Sequence, residues 1–522
     1  MKIPELRPII ALFVCAIHIT DSARILGLFQ FNGKSHFVMF EALLKGLASR
    51  GHDVVVVSHF PQESKVPNYT DISVEESLTE AVNSFTMDTA LNFKYYNLLK
   101  FFWYDNYEFC KEVFEHPNIH KLIRSEEKYD LIITELFGVD CFIGFSHKFK
   151  APLISMISSI LLPWSNDRMG NPDNPSYIPS YFLPYTGKMK FHERLWNTLF
   201  TSAVKWGSYY FSELPTQELA RKYLGEDLPP LNDIARNTSL IFTNSHFSIT
   251  EPRPMVPGVV EVGGLHLKPP GKLPQNLEKF LNDARHGVIY FSLGSLVRGE
   301  TMPEDKKRAL LDAFSELPQR VVWKTDKFPG LPDNIMTGTW LPQLEIISHP
   351  NTRVFITHGG LMGTQEAIYT GVPMVGIPLF SDQRLNIENY VTKGIAVKLE
   401  YDDITKDNVL EALKTILDNP SYKENAERIS RIFKDRPQSA LDTAIFWTEY
   451  VIRHKGAPHL RSAAVDLSWY QYLLIDVIFF LLLVTVCVLF IIYFIARKIA
   501  LLFFAKRPLP SANGIMKKQK SE

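Results

Sequence analysis

Residues 340–383 read WLPQLEIISHPNTRVFITHGGLMGTQEAIYTGVPMVGIPLFSDQ, and this stretch decides the fold. Val354-Phe355-Ile356-Thr357 is a short apolar run bounded by turn residues, which predicts a buried strand. His358-Gly359-Gly360 follows at once. Leu361 to Tyr369 then fits one helix, stopped by Gly371 as a C-cap with Pro373 beyond it. Glycines between a strand and a helix let an anion approach the helix N-terminus, where free N–H groups and the dipole favour phosphate. A second strand, Met374 to Pro378, delivers Asp382 and Gln383 to the same edge of the sheet. Ligands of open α/β sheets bind at that carboxyl edge.

The same alternation extends outward. Residues 24–31 (RILGLFQF) predict a first strand, Phe37 to Ser49 an amphipathic helix, and Val54-Val55-Val56-Val57 a β-branched strand of the kind buried in parallel sheets. Strand, helix and strand of this length make a right-handed βαβ unit. Leu131 to Thr134 and Pro152 to Met156 add strands. The text changes at Gly263-Gly264, Pro269-Pro270-Gly271 and Pro274, which is linker chemistry. Val288 to Leu293 opens a second αβ pattern, continued by Val321-Val322-Trp323-Lys324. The chemistry is therefore expected on two α/β domains meeting near residue 270.

At 522 residues the chain is too long for one core. Its 56 basic and 56 acidic residues cancel, which gives no steering of nucleic acid. Residues 1–22 carry Lys2 and Arg7, an apolar stretch from Ile9 to Ile19, and the small residues Thr20 and Ser22, as a signal peptide does. No residue from Val477 to Ala496 is charged, enough helix to span a bilayer core of about 30 Å. Arg497, Lys498, Lys506 and Arg507 follow, which makes the tail cytosolic. Lys518 and Lys520 stand fifth and third from the end, in the arrangement of a K-x-K-x-x retrieval signal. Together these ends describe a single-pass type I protein of the endoplasmic reticulum with a luminal body. Cys15 falls in the signal and Cys487 in the span, so Cys110 and Cys141 alone can form one luminal bridge, which the sequence does not decide. Asn68-Tyr69-Thr70 and Asn237-Thr238-Ser239 are glycosylation sequons if the body is luminal.

The 340–383 stretch resembles the signature of the UDP-glycosyltransferase family. The resemblance is carried by Trp340, Gln343, His349-Pro350, His358-Gly359-Gly360, Glu366, Gly371, Pro373, Pro378 and Asp382-Gln383 at matching spacing. It runs along nearly the full chain and is nearest in kind to the membrane-bound animal branch, particularly the insect type. It implies two facing Rossmann-like domains, the GT-B arrangement, plus a C-terminal transmembrane helix. The expected layout is a signal peptide over 1–22, an acceptor-binding domain over 23–268, a UDP-sugar-binding domain over 285–455, a span over 473–496 and a basic cytosolic tail over 497–522.

The resemblance also assigns roles. Gly33-Lys34-Ser35-His36 follows the first strand but is not a P-loop, because Leu28 holds the required earlier glycine position. Imidazole titrates near physiological pH, which suits His36 as the base that deprotonates an acceptor hydroxyl. A carboxylate should fix its tautomer. The family usually has Asp at the end of the strand 131–134. Here Glu135 stands there and Asp140 follows five residues on; either can serve, with Asp140 favoured for its residue type. On the donor side Trp340 offers a face for uracil, and Gln343 a donor and an acceptor for base or ribose. Ser295, His358, Gly360 and Gly363 suit the diphosphate, Glu366 the ribose hydroxyls, and Asp382 and Gln383 the sugar hydroxyls. Met362 stands where many relatives carry Asn. Phe93 to Phe109 can wall an apolar acceptor pocket or simply pack the core.

The expected activity is inverting transfer of glucose or glucuronic acid from a UDP-sugar to a hydroxyl of a small lipophilic acceptor. The insect character tilts the choice to glucose. No cofactor and no metal are expected, since no DxD-like carboxylate pair stands near the donor motif, and the oligomeric state is open. A non-catalytic luminal binding protein on the same fold is the alternative, disfavoured because the histidine and its carboxylates are present. A nicotinamide oxidoreductase is excluded, because no strand leads into G-x-G-x-x-G with an acid about 20 residues on.

Overall fold

The computed structural model describes residues 22–78, 81–327 and 329–505. The expected signal peptide, apart from Ser22, and the Lys518/Lys520 signal lie outside the described residues.

The apolar runs of the first half form seven parallel strands: β1 (Arg24–Leu28), β2 (Asp53–Ser58), β3 (Tyr69–Ser73), β4 (Leu131–Glu135), β5 (Leu153–Ile157), β6 (Leu240–Thr243) and β7 (Val259–Glu261). Their order is β3-β2-β1-β4-β5-β6-β7. Val54 to Val57 are buried on both faces, as a strand covered by helices on either side requires. The second half forms six: β8 (Val288–Ser292), β9 (Arg320–Lys324), β10 (Ile335–Gly338), β11 (Thr352–Thr357), β12 (Met374–Gly376) and β13 (Ala396–Lys398), in the order β10-β9-β8-β11-β12-β13. Both sheets are doubly wound. Chain direction across the sheet reverses between β1 and β4 in the first and between β8 and β11 in the second, and these switch points open the crevices where such folds bind ligands.

Six helices matter to the argument: α1 (Lys34–Ser49), α2 (Phe191–Ser208), α3 (Leu361–Thr370), α4 (Gln383–Thr392), α5 (Ala440–Arg453) and α6 (Ile475–Ala505). α1 begins three residues before the expected Phe37. Gly33 caps it in an extended conformation, and a Cβ there would lie 2.3 Å from Phe31 Cε1. The cap draws Lys34, Ser35 and His36 into the first helical turn. α3 ends as expected, with Gly371 left-handed at φ 71°.

One expected boundary changes. The sequence pattern carries the second domain to residue 455, yet α5 packs on α1 and enters the core of the first sheet. Ala444, Ile445 and Val451 join Phe40, Leu43 and Leu47 there. A Cβ on Gly46 would stand 3.0 Å from both Leu441 and Ile445, so the close helix pair uses that glycine. The chain thus returns to the first domain before it leaves the body. Residues to Ser462 cluster as one unit that holds both sheets, and residues from Ala463 form a second. In the latter, α6 is long and apolar enough to cross a membrane. It starts at Ile475, not 473, and runs on past 496 because nothing in the sequence caps a helix where hydrocarbon ends.

Cys110, on the helix Asn106–Glu115, is bridged to Cys141, on the short turn after β4. Asn68 and Asn237 are both exposed.

Candidate active site

A cleft of about 840 Å³ lies between the carboxyl edges of the two sheets. From the first sheet it takes residues after β1, β4 and β5, and from the second residues after β8, β10, β11 and β12, with Lys324 at the end of β9. His36, Ser295, Trp340, Gln343, His358, Gly360, Gly363, Glu366, Asp382 and Gln383 all line it. Glu135 stands behind His36, and Asp140 is elsewhere.

The acid beside His36 is Glu135. Its Oε1 lies 2.8 Å from His36 Nδ1, and its side chain is almost fully buried. A carboxylate only accepts, so Nδ1–H donates to it and the lone pair is left on Nε2. Ser158 Oγ lies 2.9 Å from the same Nδ1. The rings of Phe31 and Phe137, 4.7 and 4.6 Å from the imidazole, fix its plane. The preference for Asp140 is overturned. Asp140 forms an ion pair with the buried Arg168 instead. Glu135 is the last residue of β4, next to β1 at the switch point, whereas Asp140 lies past the turn. The longer Glu side chain spans from the strand end to the helix that carries His36. Near Asp140, burial pushes the Glu213 carboxyl up to about 7, and the Asp140 charge adds to it.

On the opposite wall, α3 points its N-terminus at the cleft. Thr364 N–H makes the first bond back, to Gly360 O, so the amides of Leu361, Met362 and Gly363 are open at the helix end. His358 is wedged between two glycines: Cβ atoms on Gly294 and Gly360 would come within 2.6 and 2.5 Å of its ring. Burial, with the Lys324 charge adding, pushes His358 down to about 4, so it is neutral at physiological pH. Gly363 serves a different purpose from close approach to an anion. A Cβ there would press 2.8 Å from Gln343 Nε2, and that nitrogen donates to Glu366 Oε2 at 2.7 Å. Burial pushes the Glu366 carboxyl up to about 7, partly offset by the Gln343 bond.

Trp340 presents an exposed face, 63% accessible, with Lys324 Nζ 5.4 Å from its ring centre. The same Nζ donates to Gly294 O at 2.7 Å. Sequence reasoning missed Lys324; its signal was its place as the last residue of the strand 321–324, at the carboxyl edge. At the far end Asp382 leads into α4, and its Oδ2 accepts from Asn386 Nδ2 at 2.9 Å. Burial raises its carboxyl above the usual range, and the Asn386 bond acts against that. The acid of the second sheet and the imidazole of the first line the same cleft. Gln383 is partly committed, since its Oε1 accepts from the amides of Leu379 and Phe380. Ser381, left-handed at φ 57°, meets the Tyr181 hydroxyl at 3.2 Å across the cleft. Tyr181 and Ser158 both lie in the loop-rich 158–181 region and had no motif to mark them.

The rest of the wall is aromatic. Phe31, Phe93, Phe101, Phe102, Phe109 and Phe137 line the space beside His36. From the 93–109 segment Phe93, Phe101, Phe102 and Phe109 line the cleft, and Leu98 and Phe102 are also buried in a core cluster.

The model of the family "UDP-glucoronosyl and UDP-glucosyl transferase" matches residues 28–507. The chain is similar to UDP-glycosyltransferase UGT5 of Dactylopius coccus, with 46% identity over 92% of each chain. UDP-glucosyltransferase 2 of the same organism is 43% identical, over 94% of this chain and 95% of the relative. Rat UDP-glucuronosyltransferase 2B1 is 35% identical, over 88% and 90%. Two solved structures share the fold at low identity. The calicheamicin glycosyltransferase CalG4 superposes with a TM-score of 0.55 at 19% identity, over 83% of this chain and 99% of that one. A Polygonum tinctorium UDP-glucosyltransferase gives 0.55 at 15%, over 83% and 98%.

Proposed function

Since this chain belongs to the UDP-glucuronosyl and UDP-glucosyl transferase family and is a UDP-sugar glycosyltransferase of GT-B fold, we propose that it transfers glucose, with inversion, to a hydroxyl of a small aromatic or lipophilic acceptor. The observation that carries this reading is the His36–Glu135 pair, whose imidazole lines one cleft with Asp382. Nε2 of His36 takes the acceptor proton, and the freed oxygen attacks C1 from the face opposite UDP. Glu135 holds the tautomer and stabilises the imidazolium that forms. The departing diphosphate is met by the open amides of α3. Trp340 stacks on uracil, with Gln343 beside it. Glu366 takes the ribose hydroxyls, His358 and Ser295 the phosphates, and Asp382 and Gln383 the hexose. The aromatic wall beside His36 favours a flat apolar acceptor. No step calls for a metal or a cofactor.

Glucose is favoured over glucuronic acid by charge. A uronic carboxylate beside Asp382 would need a cation. Of the four lysines that line the cleft, Lys45 is paired with Glu41 at 2.8 Å, Lys34 lies over Phe60, Lys324 is held at Gly294 and Trp340, and Lys268 is turned to solvent. Release of UDP should be measured with UDP-glucose and UDP-glucuronate, each with a small phenol. We expect release with UDP-glucose at least tenfold faster. Faster release with the glucuronate overturns the sugar, and UDP binding without release favours the non-catalytic reading.

We further infer a single-pass protein of the endoplasmic reticulum, anchored by α6 with its body in the lumen. The Cys110–Cys141 bridge supports an oxidising compartment. Changing Lys518 and Lys520 to Ser should let the full chain acquire mature glycans at Asn68 or Asn237; glycans that stay wholly immature refute the retrieval signal.

A further inference from the structure

A buried pair of side-chain amides joins the two domains. Asn244 directly follows β6, and Gln365 lies on α3 beside Glu366; both are fully buried. Gln365 Nε2 donates to Asn244 Oδ1 at 3.0 Å and to Asn244 O at 3.2 Å, and its Oε1 accepts from Gly264 N–H at 3.0 Å. Gly264 N–H can only donate, which sets the orientation of the Gln365 amide and, through it, that of Asn244. Asn244 Nδ2 is left to donate to Ser158 O at 2.8 Å. Its backbone N–H is shared between Ile157 O and Ser159 O, each at 3.1 Å. One residue thus holds three successive carbonyls at the end of β5.

The middle one of those three residues is Ser158, whose Oγ lies 2.9 Å from His36 Nδ1. Contacts of hydrogen-bond length therefore run from α3 to the imidazole, through Gln365, Asn244 and Ser158 in turn. α3 touches Asn244 a second time through Met362, whose Sδ accepts from Nδ2 at 3.4 Å. The thioether that replaces the usual Asn side chain is thus engaged with the first domain. Both hydrogens of each amide nitrogen have an acceptor. A buried polar network satisfied in this way is rigid, because any broken bond leaves a desolvated group behind. Apolar packing at the same place would also join the domains, but hydrogen bonds add direction.

We propose that Asn244 and Gln365 are positioning residues, which set α3 and the UDP-sugar bound at its N-terminus in register with His36; the inference rests on His36 as the base. Every group read above as a donor ligand belongs to the second domain, and the base belongs to the first. Inversion needs the acceptor oxygen, held at His36 Nε2, in line with C1 and the departing diphosphate. A misplacement of about 1 Å can cost on the order of 100-fold in rate. Loss of the amide pair therefore lowers kcat and leaves UDP affinity alone, since UDP itself never reaches across to the first domain.

The test is Gln365→Met in the full chain, which keeps the length of the side chain and removes both polar ends. Calorimetric titration with UDP gives the affinity and counts the binding sites, so kcat is taken per competent site and unfolded chains drop out. UDP release is followed with a small phenol and the faster of UDP-glucose and UDP-glucuronate. We expect kcat per site to fall at least about tenfold, with Kd for UDP within twofold. Asn244→Ser should behave alike, and the two changes together should cost no more than about twice the worse single one, because both cut one path. A lower Tm with kcat per site unchanged makes the pair merely structural and overturns the proposal. So does a UDP affinity that falls as far as kcat, and so do losses that multiply in the double variant. If Gln365→Met does not fold, Gln365→Asn gives the same reading, with a buried amide one methylene short of Asn244. Near-unaltered turnover by His36→Ala refutes the base, and the positioning role with it. An inactive His36→Ala beside a fully active Gln365→Met sinks the positioning role alone.

Discussion

His36 and its neighbours separate chemistry from architecture among the acids of this site. His36→Ala should lower UDP release with acceptor by at least about 100-fold, the usual span of general-base catalysis, while UDP affinity by calorimetry stays within twofold. Glu135→Gln should cost about tenfold or more in kcat. Asp140→Asn should leave kcat nearly intact and lower Tm instead, because it strips a partner from the buried Arg168, a loss of about 3 kcal/mol for a pair of this kind. An Asp140 variant that is inactive at full stability would restore the other assignment. Glu366 offers a pH signature. Its carboxyl, pushed up to about 7 by burial, is mostly protonated below that value in the empty site. Ribose hydroxyls donate to the carboxylate form, so binding releases a proton. Affinity for uridine, which has no phosphate to titrate, should rise as pH climbs through 7 and level off above it, by at most about tenfold per pH unit. Glu366→Gln should flatten the curve in calorimetric titrations between pH 5.5 and 8.5. Residue types and their spacing are legible in the chain itself. The pairing is not: Glu135 and Asp140 are five residues apart in sequence, and only the side on which each leaves β4 tells them apart.

At the scale of elements, short runs with strong punctuation are the legible ones. β11, α3 and the left-handed Gly371 follow from the apolar run, the glycine pair and the C-cap. α1 begins earlier than its apolar pattern because Gly33, extended and fitted under Phe31, is its N-cap. The Cys110–Cys141 bridge ties the helix that bears Phe109 to the turn that follows Glu135. Cys110→Ser should destabilise the body by about 3–4 kcal/mol in the loop-entropy account, read as a lower Tm, and should raise KM for the acceptor more than KM for the UDP-sugar. Equal effects on both would mean that the bridge supports the whole body and not the acceptor wall.

At the scale of the whole molecule, α5 is the decisive element. A chain ending at Ser462 should be soluble and bind UDP. One ending at Ser439 should aggregate, although it keeps both sheets and the whole 340–383 stretch. It would expose the apolar face of α1 that Ala444, Ile445 and Val451 cover. Size-exclusion chromatography of both truncations decides the matter: a monodisperse protein ending at 439 would show α5 to be dispensable.

The sequence alone determined the two α/β patterns, the family, the charge-free stretch 477–496 and the residue types that line the cleft. These are properties of periodicity, punctuation and spacing, written within a few dozen residues. Tertiary structure alone decided that Glu135 and not Asp140 holds His36, that Gly363 makes room for Gln343, that Lys324 joins Trp340, and that α5 crosses back to the first sheet. Each of these depends on which strand edges become neighbours and which face of an element is covered. Those are contacts between residues tens to hundreds of positions apart, for which one chain carries no local signal.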